Sequence, residues 1–281
     1  MIGSAQGGES NRLLITGAAG NMGKLLRPLL RRDDRILRLA DIADIDDAQP
    51  GEEVIAVDVL DAEAVTKACQ DVHAVLHLGG ISTEAGFDDV LQVNVVGTHN
   101  VLRAAVDAGV SKVLLASSNH AVGFYQRADA PAGSDGLPDN LLPRPDTFYG
   151  WSKAAVEALG SLYHDRFDLD VTALRIGTCF VEPTDTRGLS TWLAPGDAAQ
   201  LIEACLALPG NGFRIVWAVS DNTRRWWSLE GARAVGFAPT GNAEVFAADR
   251  IAQFGEPDLN DPVHNLVGGA FCGWPLGEPM T

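Results

Sequence analysis

Arg12-Leu-Leu-Ile-Thr16-Gly17-Ala-Ala-Gly20-Asn21-Met22-Gly23 is an apolar run that stops at three glycines, each three residues from the next. The run has the length of a strand, and Lys24 to Arg32 beyond it carries Leu25, Leu26, Leu29 and Leu30 at helical spacing. Strand, glycine turn and helix in this order suit a dinucleotide. Glycine lets the backbone turn tightly and approach a pyrophosphate, while the helix N-terminus presents unpaired N–H groups to the same anion. The spacing is G-x-x-G-x-x-G rather than G-x-G-x-x-G, and its place between strand and helix is what gives it meaning. Gly17, Gly20, Asn21, Met22 and Gly23 are therefore candidate cofactor contacts.

Working outward, a second strand, Ile36 to Ala40, ends in Asp41, eighteen residues after Gly23. An acid at about that separation hydrogen-bonds the adenosine ribose 2′-OH and repels a 2′-phosphate, so the expected cofactor is NAD rather than NADP; the alternative is an Asp that caps a turn. A third strand, Val54 to Val57, leads into Asp58 and Val59, where an acid would meet the adenine amine. Asp61 reads as the N-cap of a helix from Ala62 to Gln70. The fourth strand, Ala74 to Leu78, gives way to Gly79-Gly80-Ile81-Ser82, with Leu78 and Gly79 placed for backbone approach to the cofactor. A helical segment from Phe87 to Ala108 carries Asn94 among apolar neighbours, a residue suited to a kink, a water or a satisfied core amide.

The fifth strand, Lys112 to Ala116, runs into Ser117-Ser118-Asn119-His120, a polar cluster at the strand edge where doubly wound sheets bind ligands. Residues 126–146 are rich in Pro, Asp and Gly and read as a loop forming one wall of a cleft. Tyr149-Gly-Trp-Ser-Lys153 then opens a helix running to about Arg166. Positions i and i+4 share a helix face, so a Lys153 ammonium beside the Tyr149 phenol is expected to lower its pKa and make it a usable base. Read alone, the pair is equally a Tyr and a Lys on a solvated helix. A sixth strand, Val171 to Arg175, precedes Gly177-Thr178, and a helix near 197–208, a strand Ile215 to Val219 and Trp226-Trp227 follow.

The 281 residues, 46% of them hydrophobic, are enough for one enzyme-sized unit. The expected fold class is α/β, a doubly wound parallel sheet of the Rossmann kind. Its parts are a flexible segment over 1–11, a nucleotide-binding domain over 12–180, and a small C-terminal substrate-covering lobe over 181–281 that is not an independent domain. A net charge of −16 and a pI of about 4.6 argue against nucleic-acid and anionic-membrane partners. Only Lys24, Lys67, Lys112 and Lys153 are lysines, a composition that fits either a high-salt habitat or a codon bias towards arginine. Four cysteines without C-x-x-C or C-x-x-H spacing suggest no metal site and no redox pair. With no apolar stretch of signal-peptide or membrane-span length, a cytoplasmic location is expected.

Gly17, Gly20, Gly23, Asp41, Ser118 and Tyr149-x-x-x-Lys153, in this order, resemble the extended short-chain dehydrogenase/reductase family over residues 12 to 180. The resemblance implies Tyr149 as general acid/base, Lys153 as its partner and a ribose ligand, and Ser118 as the hydroxyl that orients the substrate oxygen. It also implies Asn94 in a proton relay beside the cofactor. Further stretches, His77 to Ser82, Ser117 to His120, Arg175 to Cys179 and Arg187 to Trp192, resemble a branch of the family that oxidises hexuronic acids at the anomeric carbon with NAD. That branch implies Ser82, Asn119, His120, Thr178 and Arg187 as substrate contacts and a homo-oligomer of at least two subunits. Thr178 stands where Ser is expected, and the loop before Tyr149 is longer than expected. Two other readings stay open: a nucleotide-sugar epimerase or dehydratase, and a catalytically silent NAD-sensing protein.

Overall fold

Seven parallel strands form one sheet in the order β3-β2-β1-β4-β5-β6-β7. The structure, a computed structural model, describes residues 11–280, so most of the expected flexible N-terminal segment lies outside the described residues. The strands are β1 (Arg12–Thr16), β2 (Ile36–Asp41), β3 (Glu52–Ala56), β4 (Ala74–His77), β5 (Lys112–Ser118), β6 (Asp170–Ile176) and β7 (Phe213–Ala218). Between them lie α1 (Asn21–Leu30) and α2 (Ala62–Ala68), then α3 (Phe87–Val90) and α4 (Gly97–Asp107) joined by a π-helical stretch (Leu91–Val96). After these come α5 (Phe148–Phe167), α6 (Gly188–Thr191) and α7 (Pro195–Ala207).

Period-two burial drives the layering. Leu13 and Ile15 of β1 face one side, where they pack with Leu26, Leu30, Leu201 and Ile202 of α1 and α7. Leu14 faces the other, with Val65 of α2, Val101 and Leu102 of α4 and Val156 of α5. Both faces are covered, which is why these strands read as continuous apolar runs rather than as alternating ones.

The strand order reverses between β1 and β4, so the C-terminal ends of those two strands flank the crevice where such sheets bind ligands. Two departures from the sequence reading bear on the site. β7 pairs in parallel with β6, from Val171 opposite Phe213 to Ile176 opposite Ala218, so the sheet draws on residues beyond 180. The expected helix over 87–108 widens to a π turn around Asn94, an irregularity that local periodicity does not reveal.

The loop over residues 126–146 is pinned from below. Leu137 is fully buried; its N–H donates to Trp226 O at 2.8 Å, and its carbonyl accepts from Trp217 Nε1 at 3.0 Å and from Ser228 N at 2.8 Å. Arg175, with no exposed surface, donates to Asp139 O at 2.8 Å and Leu141 O at 3.2 Å. The same guanidinium pairs with the buried Glu157 carboxylate, Nε to Oε1 at 2.8 Å and Nη2 to Oε2 at 2.9 Å. Glu157 lies on α5 one turn beyond Lys153, so one ion pair ties the loop, the sheet and α5 together.

Candidate active site

The glycine turn after β1 is shaped for a close backbone approach. Gly17 has φ +69°, and a Cβ there would stand 2.7 Å from Gly79 N, while one on Gly23 would stand 2.4 Å from Ala18 O. Only glycine meets both demands at position 17. Gly20 precedes α1 and offers no side-chain cap to the helix's first N–H groups. That leaves a dipole end and free donors beside Asn21 and Met22, an arrangement that fits a pyrophosphate. Asp41, at the end of β2, accepts from Ala19 N at 2.9 Å through Oδ2 and from Ala43 N at 3.0 Å through Oδ1. Its carboxylate is thus held at the rim of the glycine turn. Asp58 is exposed and caps its own turn at Leu60 N; Val59 packs against Gly79 and Gly97, and Leu78 donates its N–H to Thr16 O at 3.1 Å.

A chain of hydrogen bonds runs behind this crevice through His77, a residue to which the sequence reading gave no role. Gly79 N–H donates to Thr16 Oγ1 at 3.2 Å, and Thr16 Oγ1 lies 2.7 Å from His77 Nδ1. His77 Nε2 lies 3.0 Å from Thr98 Oγ1, whose proton goes to Asn94 O at 2.5 Å. Because Thr98 spends its proton on Asn94, the imidazole carries its own proton on Nε2 and accepts from Thr16 at Nδ1. Burial, followed by repulsion from Lys153, pushes the His77 pKa down to about 3. The sign follows: the fold requires neutral His77, so its full stability is present above the ordinary histidine value of 6.5 and is lost as pH falls from there towards 3. The melting-temperature gap between the wild type and His77→Gln is expected to narrow over that window; a constant gap would contradict the reading.

Asn94 braces the far side. Its Oδ1 accepts from Ile81 N at 2.7 Å, and its amide N–H groups reach Ile81 O at 3.0 Å and Ser152 Oγ at 2.9 Å. Ser152 in turn donates to Tyr149 O at 2.7 Å. The π turn thus connects the β4 loop, which carries the exposed Ser82, to the backbone of Tyr149. Glu84, nearly fully buried, adds a negative charge at the start of α5, accepting from Tyr149 N at 2.8 Å and Phe148 N at 3.3 Å. A carboxylate there favours the helix and complements its dipole.

At the centre, Tyr149, Lys153 and Ser118 come together. Lys153 Nζ sits 5.5 Å from the Tyr149 ring centroid and donates to Ala116 O at 2.9 Å. Burial pushes the Tyr149 phenol up to about 12, while a hydrogen bond with Ser118 works in the opposite direction. Burial also pulls Lys153 down to about 8. The expected lowering of Tyr149 by Lys153 does not appear in the chain alone: the phenol is raised, by burial first and also by the Asp146 charge, with Ser118 acting the other way.

The residues expected to meet a substrate divide. Asn119 and His120 follow Ser118, and Thr178 Oγ1 lies 3.1 Å from Thr191 Oγ1 at the end of β6. Arg187 is half-buried and, among the described residues, has no carboxylate within ion-pairing distance. Its Nη1 donates to Val263 O at 2.6 Å and Leu266 O at 3.1 Å, and its Nη2 to Val267 O at 2.5 Å. Asn119 Nδ2 donates to the same Val267 carbonyl at 2.8 Å, so the guanidinium lies one carbonyl away from the residue after Ser118. Three of its five N–H donors are engaged, leaving one on Nε and one on Nη2. Phe271, which no sequence signal singled out, stacks on His120 with ring centroids 3.9 Å apart.

Residues 13–212 match the NAD dependent epimerase/dehydratase family. Over 270 residues the chain is 40% identical to a uronate dehydrogenase of Pseudomonas syringae pv. tomato, a match covering 95% of this chain and 96% of that one. An NAD-dependent glucose-6-phosphate dehydrogenase of Haloferax volcanii is also 40% identical, over 87% of this chain and 97% of its own length. The solved uronate dehydrogenase from Agrobacterium tumefaciens superposes with a TM-score of 0.88 at 38% identity, covering 95% of this chain and 98% of that one. A mutant of that enzyme has been solved in complex with NAD.

Proposed function

The chain belongs to the NAD dependent epimerase/dehydratase family, and from that premise we propose that it oxidises a free hexuronic acid, galacturonate or glucuronate, at C1 to the aldarolactone. NAD is the cofactor. When bound, it supplies the hydride acceptor and a positive ring charge. Gly17, Gly20, Asn21, Met22, Gly23 and Asp41 would hold its pyrophosphate and ribose. Tyr149, as the phenolate that Lys153 stabilises, takes the proton of the C1 hydroxyl and becomes a phenol as the C1 hydride leaves, and Ser118 orients that hydroxyl.

The observation that carries the substrate class is Arg187. In a protein of net charge −16, it is a half-buried arginine with no carboxylate in ion-pairing distance among the described residues, Asp185 and Asp146 acting on it only from further off, and it lies beside Asn119 with two N–H donors left. Two donors are what one planar carboxylate takes in a bidentate pair. A phosphate monoester presents three oxygens and a higher charge. Arg187→Ala is expected to raise KM for either uronate by about 10- to 100-fold, the worth of a charge-assisted bidentate contact, and to leave glucose nearly unaffected. Initial rates of NADH formation with galacturonate, glucuronate, glucose and glucose 6-phosphate test both points. Equal losses on uronate and glucose, or preferred turnover of glucose 6-phosphate, would overturn the assignment.

A nucleotide-sugar epimerase reading loses ground because its substrate needs a larger covering lobe than the residues beyond β6 supply. The hexuronate reading carries with it a cytoplasmic location and a homo-oligomer. It is supported by four free thiols, by the lack among the described residues of any helix long and apolar enough to cross a membrane, and by the exposed Leu162 and Phe167 on α5.

A further inference from the structure

Three glycines from three separate segments surround the carboxyl group of Asp146. A Cβ on Gly123 would stand 2.1 Å from its Oδ2, one on Gly268 1.8 Å from the same atom, and one on Gly150 2.6 Å from Oδ1. None of the three has a positive φ, so close approach, rather than backbone conformation, demands glycine at each. The Asp146 side chain is wholly shielded from solvent. Among the described residues its partners are Thr147 Oγ1, which donates to Oδ1 at 2.9 Å, and His120 Nδ1, 2.6 Å from Oδ2. Burying a carboxylate is costly unless every lone pair finds use, and this socket directs one oxygen at a histidine beside the catalytic tyrosine.

The protons in this group can be placed. Thr147 Oγ1 accepts from Gly150 N at 3.1 Å and so sends its own proton to Asp146 Oδ1. Oδ2 is an acceptor only and takes the His120 Nδ1–H, which leaves Nε2 with its lone pair. Nε2 has no hydrogen-bond partner among the described residues. The ring itself is fixed by Phe271, stacked at 3.9 Å, and by Tyr149, edge-on at 5.6 Å. Resting on the hexuronate reading above, we propose that Asp146 is a positioning residue: it holds His120 in the Nδ1–H tautomer, so that Nε2 meets the sugar as the acceptor of a ring hydroxyl. A site built to accept from a hydroxyl rejects an analogue that lacks it, so the pair contributes to specificity as well as to orientation.

Asp146→Asn tests this with little change of shape. The amide oxygen keeps the Thr147 proton, so the amide N–H faces His120 Nδ1 and drives the ring to the Nε2–H tautomer. The expected outcome is a kcat/KM for uronate lower by about 10- to 100-fold, the loss typical of removing a group that orients a histidine, with KM for NAD unchanged. Nitrogen-15 NMR of histidine-labelled protein supplies a readout besides activity. With six histidines in the chain and His120→Gln to assign the signal, the spectrum is taken above the ordinary histidine pKa range. The wild type is expected to carry its proton on Nδ1 with Nε2 bare, and Asp146→Asn the reverse. A wild-type ring protonated on Nε2, or unchanged uronate kinetics in Asp146→Asn, overturns the proposal. If the wild type turns over no hexuronate, the substrate reading is what fails, and the wild-type tautomer still decides this one.

Discussion

Tyr149→Phe is expected to lower kcat by about 10²- to 10⁴-fold, the usual contribution of one general acid–base group, while NAD binds as before. The separation follows from the geometry. The crevice proposed for the cofactor lies at the glycine turn, Asp41 and the β4 loop, whereas the phenol has Ser118, His120 and Lys153 as neighbours. The backbone of residue 149 is held by Glu84 and Ser152 through main-chain atoms, so losing the hydroxyl leaves α5 in place. The buried phenol starts from about 12 and must be drawn down by positive charge as the proton leaves, and Lys153 is the side chain placed to do so. Steady-state kinetics with either uronate, alongside calorimetric titration with NAD, measures both halves. Turnover retained within about tenfold would remove Tyr149 from the mechanism, and lost NAD affinity would show that the substitution damaged the fold.

Arg175→Met is expected to have the largest effect on stability, about 3–5 kcal/mol, because it strands the Glu157 carboxylate in the interior. Both side chains are almost wholly buried, and Ser117 Oγ donates to Glu157 Oε1 at 2.6 Å without supplying a positive charge. The same substitution also leaves Asp139 O and Leu141 O without their donor. For a chain of this size the melting temperature is expected to fall by roughly 10 °C. Adding Glu157→Gln removes the stranded charge while keeping an acceptor for Ser117, and the double variant is expected to regain a large part of the loss. Thermal denaturation of the two variants checks this. A single variant within about 1 kcal/mol of the wild type, or a double variant no more stable than the single, would mean that the pair is not what anchors the loop.

The parts of this fold legible in the sequence were those set by neighbours along the chain. The strand that ends at Gly17 is read from an apolar run and a glycine, and the Tyr149–Lys153 pairing from helical spacing; both depend on a few consecutive residues. What escaped depends on contacts between distant segments. The π turn at Asn94 is stabilised by Ile81 and Ser152, thirteen and fifty-eight residues away. Asp146 looked like the last residue of a loop because its partners come from Gly123, Gly150 and Gly268 as well as His120. Arg187 stands out in the sequence as the one cation of a polar loop, yet the carbonyls that occupy three of its donors lie 76 to 80 residues on. The pKa of Tyr149 was misjudged for a related reason: helical spacing predicts the neighbouring charge but not the depth of burial, and here burial is the larger effect.

The socket around Asp146 also limits how this protein can change. Positions 123, 150 and 268 stand in line with one carboxylate from different directions, so an alanine at any of them collides with the same two oxygens. Drift at 123 or 268 is blocked until residue 146 has itself become smaller, a step that leaves His120 without its orienting partner, while Gly150 is also held by the His120 carbonyl, 2.4 Å from where its Cβ would stand. Positions 123, 146 and 268, spread over almost 150 residues of sequence, are therefore coupled through one carboxylate. A randomised library that samples them separately would record three intolerant sites, and only simultaneous substitution would uncover the alternatives.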